Sequence, residues 1–262
     1  FDETNRKWQW HTGNFDEGVG YTYYFNKDVN NYEFSSSTFN NNDTYSIAIT
    51  NNNDTYNLVG NPYPFSIEAD EFIDDNLGPI NGTIWLRDEI KGKIGTYVDD
   101  NYIYYNITNG AVGGVTGRVF NGKIAPTQGF WVKYNSGSQI TFAKDMYRTT
   151  DEQGTFFKSK KKEKSLNKLK LSFTDIDQYY DEIIVSFIGD ATMDYDYQYD
   201  AEKFNATKFG FYSLRDEQRY AIQTQPTIQP NQTRFVELGV IVREAGQYTF
   251  SIIESENIFD SH

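Results

Sequence analysis

Apolar and polar positions alternate with a period of two along most of the chain. Residues 20–26 (GYTYYFN), 33–39, 45–50 (YSIAIT) and 55–60 (TYNLVG) are short, rich in aromatic and β-branched side chains, and separated by Asn/Asp clusters. Such runs read as strands, and clusters such as Asn40-Asn41-Asn42-Asp43 read as turns, because Asn and Asp tolerate left-handed backbone and bond to their own main chain. Residues 83–86 (TIWL), 101–107 (NYIYYNI), 129–134 (GFWVKY) and 139–142 continue the series. A second series follows at 166–173 (LNKLKLSF), 182–188 (EIIVSFI), 209–214 (FGFYSL), 234–242 (RFVELGVIV) and 246–253 (GQYTFSII). In 166–173 the leucines do not alternate cleanly, which predicts a bulge or a strand covered on both faces. Helical pattern is scarce. Residues 66–76 (SIEADEFIDDN) offer Ser66 as a cap, acidic residues in the early turns, and Ile67, Phe72 and Ile73 partly on one face. Residues 200–204 (DAEKF) are a second, shorter candidate.

Strands spaced by about ten residues are the pattern of sandwiches and barrels. The expected fold is all-β: two β-sandwich-like domains with one or two short helices. Between them the composition changes, with five Lys in the seven residues 158–164 and no aromatic among them. This places a β-rich domain at 1–150, a Lys-rich linker or exposed hairpin at 151–165, and a second sandwich at 166–262. A contact for an acidic partner or lipid head groups is the sharper reading of the Lys run.

Charge and composition then remove function classes. The net charge of -13 is shared by both halves, which suits an exposed, solubilising surface and speaks against a general nucleic-acid binder. No apolar run approaches the roughly 18 residues of a membrane-spanning helix. Absence of Cys excludes disulfides, zinc–thiolate sites and thiol catalysis. The two histidines are His11 and His262, neither in a catalytic motif, so a Ser-His-Asp triad has almost nothing to draw on. The start at Phe1, without a basic-then-apolar leader, and the end at His262 read as an internal piece of a longer protein.

Three constellations remain. Asp190, Asp194, Asp196 and Asp200 form the densest acidic stretch, and hard cations such as calcium take six to eight oxygens from loops of this kind. The spacing is not that of an EF-hand, and an exposed loop or edge strand with alternating Tyr and Asp fits equally. Among the four Trp, Trp85 and Trp131 sit inside apolar strand patterns. Trp8 and Trp10 share one face of a strand and are the candidates for stacking on sugar rings. Paired carboxylates for glycoside hydrolysis need a separation of about 5 Å or roughly 6.5–9.5 Å, but no feature of the sequence selects a pair. Six Asn-x-Ser/Thr sequons, at Asn42, Asn53, Asn81, Asn106, Asn205 and Asn231, complete the inventory.

The most specific motif is Tyr56-Asn57-Leu58-Val59-Gly60-Asn61-Pro62-Tyr63-Pro64, a strand that breaks abruptly at two prolines. It resembles the NLxGNPYPS segment of large secreted and cell-surface proteins of Bacteroidetes, upstream of their type IX secretion sorting domain. Gly18-Val19-Gly20-Tyr21 resembles that family's GxGY start, the residues Ile124 to Val132 its IxPGQGFFV, and Phe142 to Arg148 the strand and Arg that follow. In the second half, 194–203 (DYDYQYDAEK) resembles fDxxyDAxK, Phe235 to Gly239 the vpLG strand, and Gly246 to Phe250 the closing strand. The likeness runs from about Gly18 to Ile258. Departures are Phe65 where Ser is usual and Thr127 where Gly is usual. The resemblance implies a non-catalytic, β-rich module, adhesin-like or structural, exported by the type IX machinery through a sorting domain beyond this chain. The implied location is extracellular or at the cell surface, with glycans or surface proteins as partners and no resident cofactor apart from the open calcium question. A bacterial origin makes the sequons coincidental. The alternatives are a carbohydrate-binding module of a polysaccharide-degrading enzyme and, third, a carboxylate-based hydrolase.

Overall fold

Nearly every period-two segment becomes a strand. The protein, in a computed structural model, is described over residues 7–22, 40–52, 55–88, 102–114, 120–147, 166–177, 179–204, 208–229 and 231–258. In chain order the first elements are β1 (Thr44–Ala48), β2 (Tyr56–Gly60), β3 (Ile67–Glu68), helix α1 (Ala69–Asn76), β4 (Ile80–Arg87), β5 (Tyr102–Asn106) and β6 (Gly110–Gly113). Then come β7 (Lys123–Ile124), β8 (Gly129–Tyr134), β9 (Gln139–Ala143), β10 (Asn167–Asp175) and β11 (Tyr180–Ile188). The last are β12 (Ala201–Glu202), β13 (Gly210–Arg215), β14 (Gln218–Pro226), β15 (Glu237–Ile241) and β16 (Tyr248–Glu256). The fold is all-β, with one α-helix among the described residues. The expected strand at 33–39, residues 23–26 of the one expected at 20–26, and the Lys run at 158–164 lie outside those residues.

The compact units differ from the expected division. The first comprises Phe1–Ile84 with Asn121–Thr150, and the second Trp85–Phe120 with Asp151–His262. The boundary is therefore not a single linker near residue 150, because the segment with β5 and β6 packs within the second unit. β4 itself changes unit between Ile84 and Trp85.

In the first unit β2 pairs antiparallel with β8, from Tyr56 opposite Lys133 to Gly60 opposite Gly129. β1 pairs with β9 and β3 with β7. Ahead of β2, residues Gly18 to Gly20 lie directly on its backbone: Gly20 N–H donates to Leu58 O and Gly60 N–H donates to Gly18 O. A Cβ on Gly20 would stand 2.5 Å from Leu58 Cγ, so the GxGY pattern is a demand for close approach. α1 begins after β3, not at Ser66; Glu68 is its N-cap and supplies no side-chain bond, while Asp70 and Glu71 complement the helix dipole. Its buried face carries Phe72 and Ile73, and Phe72 packs edge-on against Phe130 (5.1 Å) and beside Phe142 (5.0 Å). Asn76 then bonds β9 like another strand, accepting from Thr141 N–H (2.7 Å) and donating to Thr141 O (2.8 Å).

The second unit is built on one curled sheet in the order β15-β13-β14-β11-β10-β16, with β12 on β14. β11 is buried on both faces, which is why EIIVSFI reads as a continuous apolar run. Ile183, Val185 and Phe187 face Phe173, Phe209 and Phe211 in the main core. β10 pairs with β16 through a register shift at Lys170/Leu171, the irregularity that its leucines predict. The expected helix at 200–204 is instead the short strand β12; Ala201 lies opposite Ile222 and Glu202 opposite Tyr220.

The turn that feeds β8 generates a stability prediction. Gln128 N–H donates to Ala125 O, with Pro126 and Thr127 as the central residues and Thr127 at φ 61°. That is type II turn geometry, in which the second central position favours Gly, and a β-branched residue there is strained. Thr127→Gly should stabilise the first unit by about 1 kcal/mol, read as a higher midpoint in urea; an unchanged or lower midpoint would contradict the assignment.

Candidate functional site

The acidic stretch of the second unit, the sequence's candidate for cation chemistry, contains one carboxylate built into the fold. Asp200 is fully buried and both its oxygens are occupied. Oδ1 accepts from Thr224 N–H (2.7 Å), and Oδ2 accepts from Asp196 N–H (3.0 Å) and the Arg215 guanidinium (2.7 Å). Burial pushes its carboxyl above the usual range, against the opposing pull of the Asp196 N–H and Arg215. Asp196 spends Oδ2 on Thr192 N–H (2.6 Å) and, through its carbonyl, closes the turn to Tyr199 and Asp200. Asp190 and Asp194 are exposed. The four side chains thus differ in burial and in partners, and among the described residues no group of three or more His, Cys, Asp or Glu is placed to hold a metal ion.

The rest of this segment has equally defined roles. Tyr199 O receives Asn106 Nδ2 (2.9 Å), Asn109 Nδ2 (3.2 Å) and the Thr224 hydroxyl (3.3 Å). Lys203 is buried and its ammonium meets Asp181 Oδ1 at 2.7 Å, 5.6 Å from the centre of the Tyr104 ring. Asp181 also accepts Phe211 N–H (2.7 Å) and Glu182 N–H (2.8 Å). Tyr-Asp-Ala-x-Lys is therefore a set of anchors: a carbonyl hub, an Arg partner, a fully buried Ala201, and a Lys that neutralises β11.

Glu182, the next residue of β11, faces the other way, as consecutive strand residues do. Its carboxylate accepts from Lys170 (2.7 Å), Gly113 N–H (3.0 Å) and the Tyr180 hydroxyl (2.5 Å). Burial and that carboxylate raise the Tyr180 phenol; burial pushes Tyr220, under the Arg215 guanidinium, up to about 12. Asp181, Glu182 and Asp200 each face a cation. A glycosidase pair needs one carboxyl held neutral and one free to act, and these three are all committed to the fold.

The aromatic candidates separate as expected in exposure but not in form. Trp85 is buried and its indole N–H donates to Glu202 O (3.1 Å). Trp131 is buried, and Trp8 meets it edge-on at 6.0 Å while remaining 53% exposed. Trp10 is 95% exposed. Residues 8–10 are irregular, so the two rings do not share a strand face. Close by in sequence, His11 stacks on Phe15 (5.6 Å), meets Tyr21 at a tilt (4.8 Å) and bonds Asn14 O through Nε2 (2.7 Å). His262 lies outside the described residues. Two sequon asparagines, Asn81 and Asn106, are buried, which suits sequons that arise by chance.

In the first unit the proline motif is also an anchor. Asn61 is buried and its Nδ2 reaches Phe65 O (2.8 Å), Ile124 O and Ala125 O (both 3.2 Å), while Oδ1 accepts Tyr63 N–H (3.0 Å). The Tyr63 hydroxyl donates to Phe142 O (3.1 Å) and Asn42 O (3.2 Å). Phe65 stacks flat on Tyr63 at 4.9 Å and meets Tyr147 at 4.7 Å.

Arg215 and Thr224 are the key residues that pattern reasoning missed. β14 alternates Tyr220, Ile222 and Thr224 against Ala221, Gln223 and Gln225, all buried, so its polar side chains hid the strand. The available signal was the Asp216-Glu217 pair, both at positive φ, which closes the β13–β14 hairpin without the usual Asn-Gly.

A family model described as Domain of unknown function (DUF8693) matches residues 5–262. No curated protein and no solved structure matches the chain.

Removing the cation from a buried pair leaves an uncompensated charge and typically costs about 3–5 kcal/mol. Lys203→Met should destabilise the second unit by that amount in urea titration. Adding Asp181→Asn, which keeps an acceptor for Phe211 N–H, should recover part of the loss; a Lys203→Met protein as stable as the parent would refute the anchoring role.

Proposed function

We propose, from the premise that the chain belongs to the DUF8693 family, that it is a non-catalytic module of a secreted or cell-surface bacterial protein exported by type IX secretion, acting as an adhesin-like or structural segment. The observation that carries this reading is the fate of the chemistry-bearing residues. Asp181, Glu182 and Asp200 are buried and each is matched to Lys203, Lys170 or Arg215. The distinctive motif residues are likewise spent inside the protein: Asn61 and Tyr63 bond backbone, Tyr199 O takes the Asn106 and Asn109 amides, and the Lys203 ammonium meets Asp181. Motifs made of internal anchors define a scaffold and leave recognition to its surface. One cavity among the described residues, lined by Val19, Gly20, Ile47, Asn57 and Val59, holds about 130 Å³, below the roughly 300 Å³ at which ligand pockets begin.

Export is testable in the source bacterium. Antibodies to this chain should label intact cells or culture supernatant, and deletion of the type IX channel should trap the antigen inside. Label unchanged by that deletion would exclude the proposed route.

The exposed Trp10, beside the half-exposed Trp8, favours carbohydrate binding as the second reading. Aromatic faces left in water are suited to stacking on the apolar faces of sugar rings. On a polysaccharide panel, binding that falls at least tenfold in Trp10→Ala would support this reading, whereas binding indifferent to both Trp8→Ala and Trp10→Ala would dismiss it.

A further inference from the structure

β16 stands at one edge of the second unit's sheet; among the described residues it pairs with β10 alone. Phe250 lies opposite Phe173 and Ile252 opposite Leu171, on the side of the sheet that carries the core. Both are nevertheless mostly in water, Phe250 at 60% and Ile252 at 57% exposure. The curl of the sheet brings the Phe250 ring to 5.6 Å from Phe211 of β13, whose cross-strand neighbour on β15 is Val240. Val240 and its neighbours Leu238 and Val242 are exposed as well. One side of the core is thus open between two edge strands. At about 200 Å² for a large apolar side chain, the open side leaves roughly 400–500 Å² of apolar surface in water, a size that marks an interaction site.

The edge itself lacks the usual protection. From Thr249 to Ile253 it carries no charge and no Pro, the devices that keep exposed strands from pairing. The register shift beside Ile253 comes only at the end of that stretch. Glu254 and Glu256, the first acidic side chains beyond it, are held by Lys168 at 2.7 and 3.6 Å.

We propose that β16 is an interface between two copies of this chain, paired antiparallel about a two-fold axis at Ser251. In that register Phe250 lies opposite the partner's Ile252 and Ile252 opposite the partner's Phe250, so the two open cores become continuous on one face. Each Glu254 falls beside the partner's Tyr248 and not beside another carboxylate. A two-fold contact needs a self-complementary strand, and Phe-Ser-Ile with uncharged flanks is one. The apolar patch supplies about half of the roughly 800 Å² that each partner gives to a standard interface, with the edge backbone and flanking side chains adding the rest. A net charge of -13 on each copy opposes association, so salt, which screens that repulsion, strengthens the dimer.

Sedimentation of the whole chain should show mass rising with concentration from one chain of 30.4 kDa towards two, more readily in high salt. Ile252→Lys, at an exposed position, should weaken the dimer at least tenfold while the circular dichroism spectrum stays that of the parent. The absence of native Cys permits a register test. Ser251→Cys should cross-link to its own copy on oxidation, because opposed strand residues bring Cα atoms within about 5.5 Å. Thr249→Cys should not, since the same register separates the two thiols by roughly 13 Å along the strands. A single-chain mass at every concentration, a dimer that Ile252→Lys leaves intact, or cross-linking of Thr249→Cys as readily as Ser251→Cys would each overturn the proposal.

Discussion

A carboxylate without water needs donors in its place, and the second unit is arranged around supplying them to Asp200. Its two oxygens collect an N–H from its own turn, an N–H from β14 and the guanidinium of Arg215 at the end of β13. Those three donors belong to three separate segments, so satisfying one side chain fixes where the Asp190–Asp200 loop, the hairpin and β14 meet. Thr224 continues the arrangement, because its hydroxyl reaches both Ser186 on β11 and Tyr199 O. A parallel contact between β11 and β14 has no tight turn to define its register. The polar cluster supplies that definition where apolar packing, tolerant of small slips, would not.

Asn61 solves the corresponding problem in the first unit. Two prolines remove N–H donors and end β2 abruptly, and the turn that follows is tied down through the carbonyls of Phe65, Ile124 and Ala125. One amide gathers those three carbonyls and returns an acceptor to Tyr63. Short polar side chains thus act as joints at places where the ladder of strand bonds stops. Both units use residues that carry obvious chemistry, and both use them inwardly.

That inward use explains how much was legible beforehand. Strands with a dense apolar pattern, such as β8 and β11, follow from alternation or from an unbroken apolar run, and the short helix follows from Phe72 and Ile73 with acids around them. β14 escaped because half its buried positions are Gln and Thr, which look solvent-facing until Arg215 and Asp200 are in place. The acidic loop was legible as a cluster, yet whether clustered carboxylates meet an ion or a guanidinium depends on a residue fifteen positions away from Asp200. Trp85 and Trp10 were separable by their neighbours, since TIWL is a core strand and the surroundings of Trp10 are mixed. The division into units was the least legible feature, because the segment with β5 and β6 has the same composition as the strands on either side of it.

The interleaving of the two units has a consequence in time. β2 finds its partner β8 only after about 70 further residues have been made, and α1 must wait equally long for Phe130 and Phe142. At synthesis rates of roughly 5–20 residues per second that is on the order of 4–14 s during which Phe72, Ile73 and the edge of β2 have nothing to cover them. Segments in that condition are held back from aggregation by holdase chaperones or by charge, and the acidic residues flanking Phe72 on α1 provide the latter. The first unit therefore stays open until Asn121–Thr150 has been made, and the Trp85–Phe120 part of the second unit waits longer still, for the strands that follow residue 150.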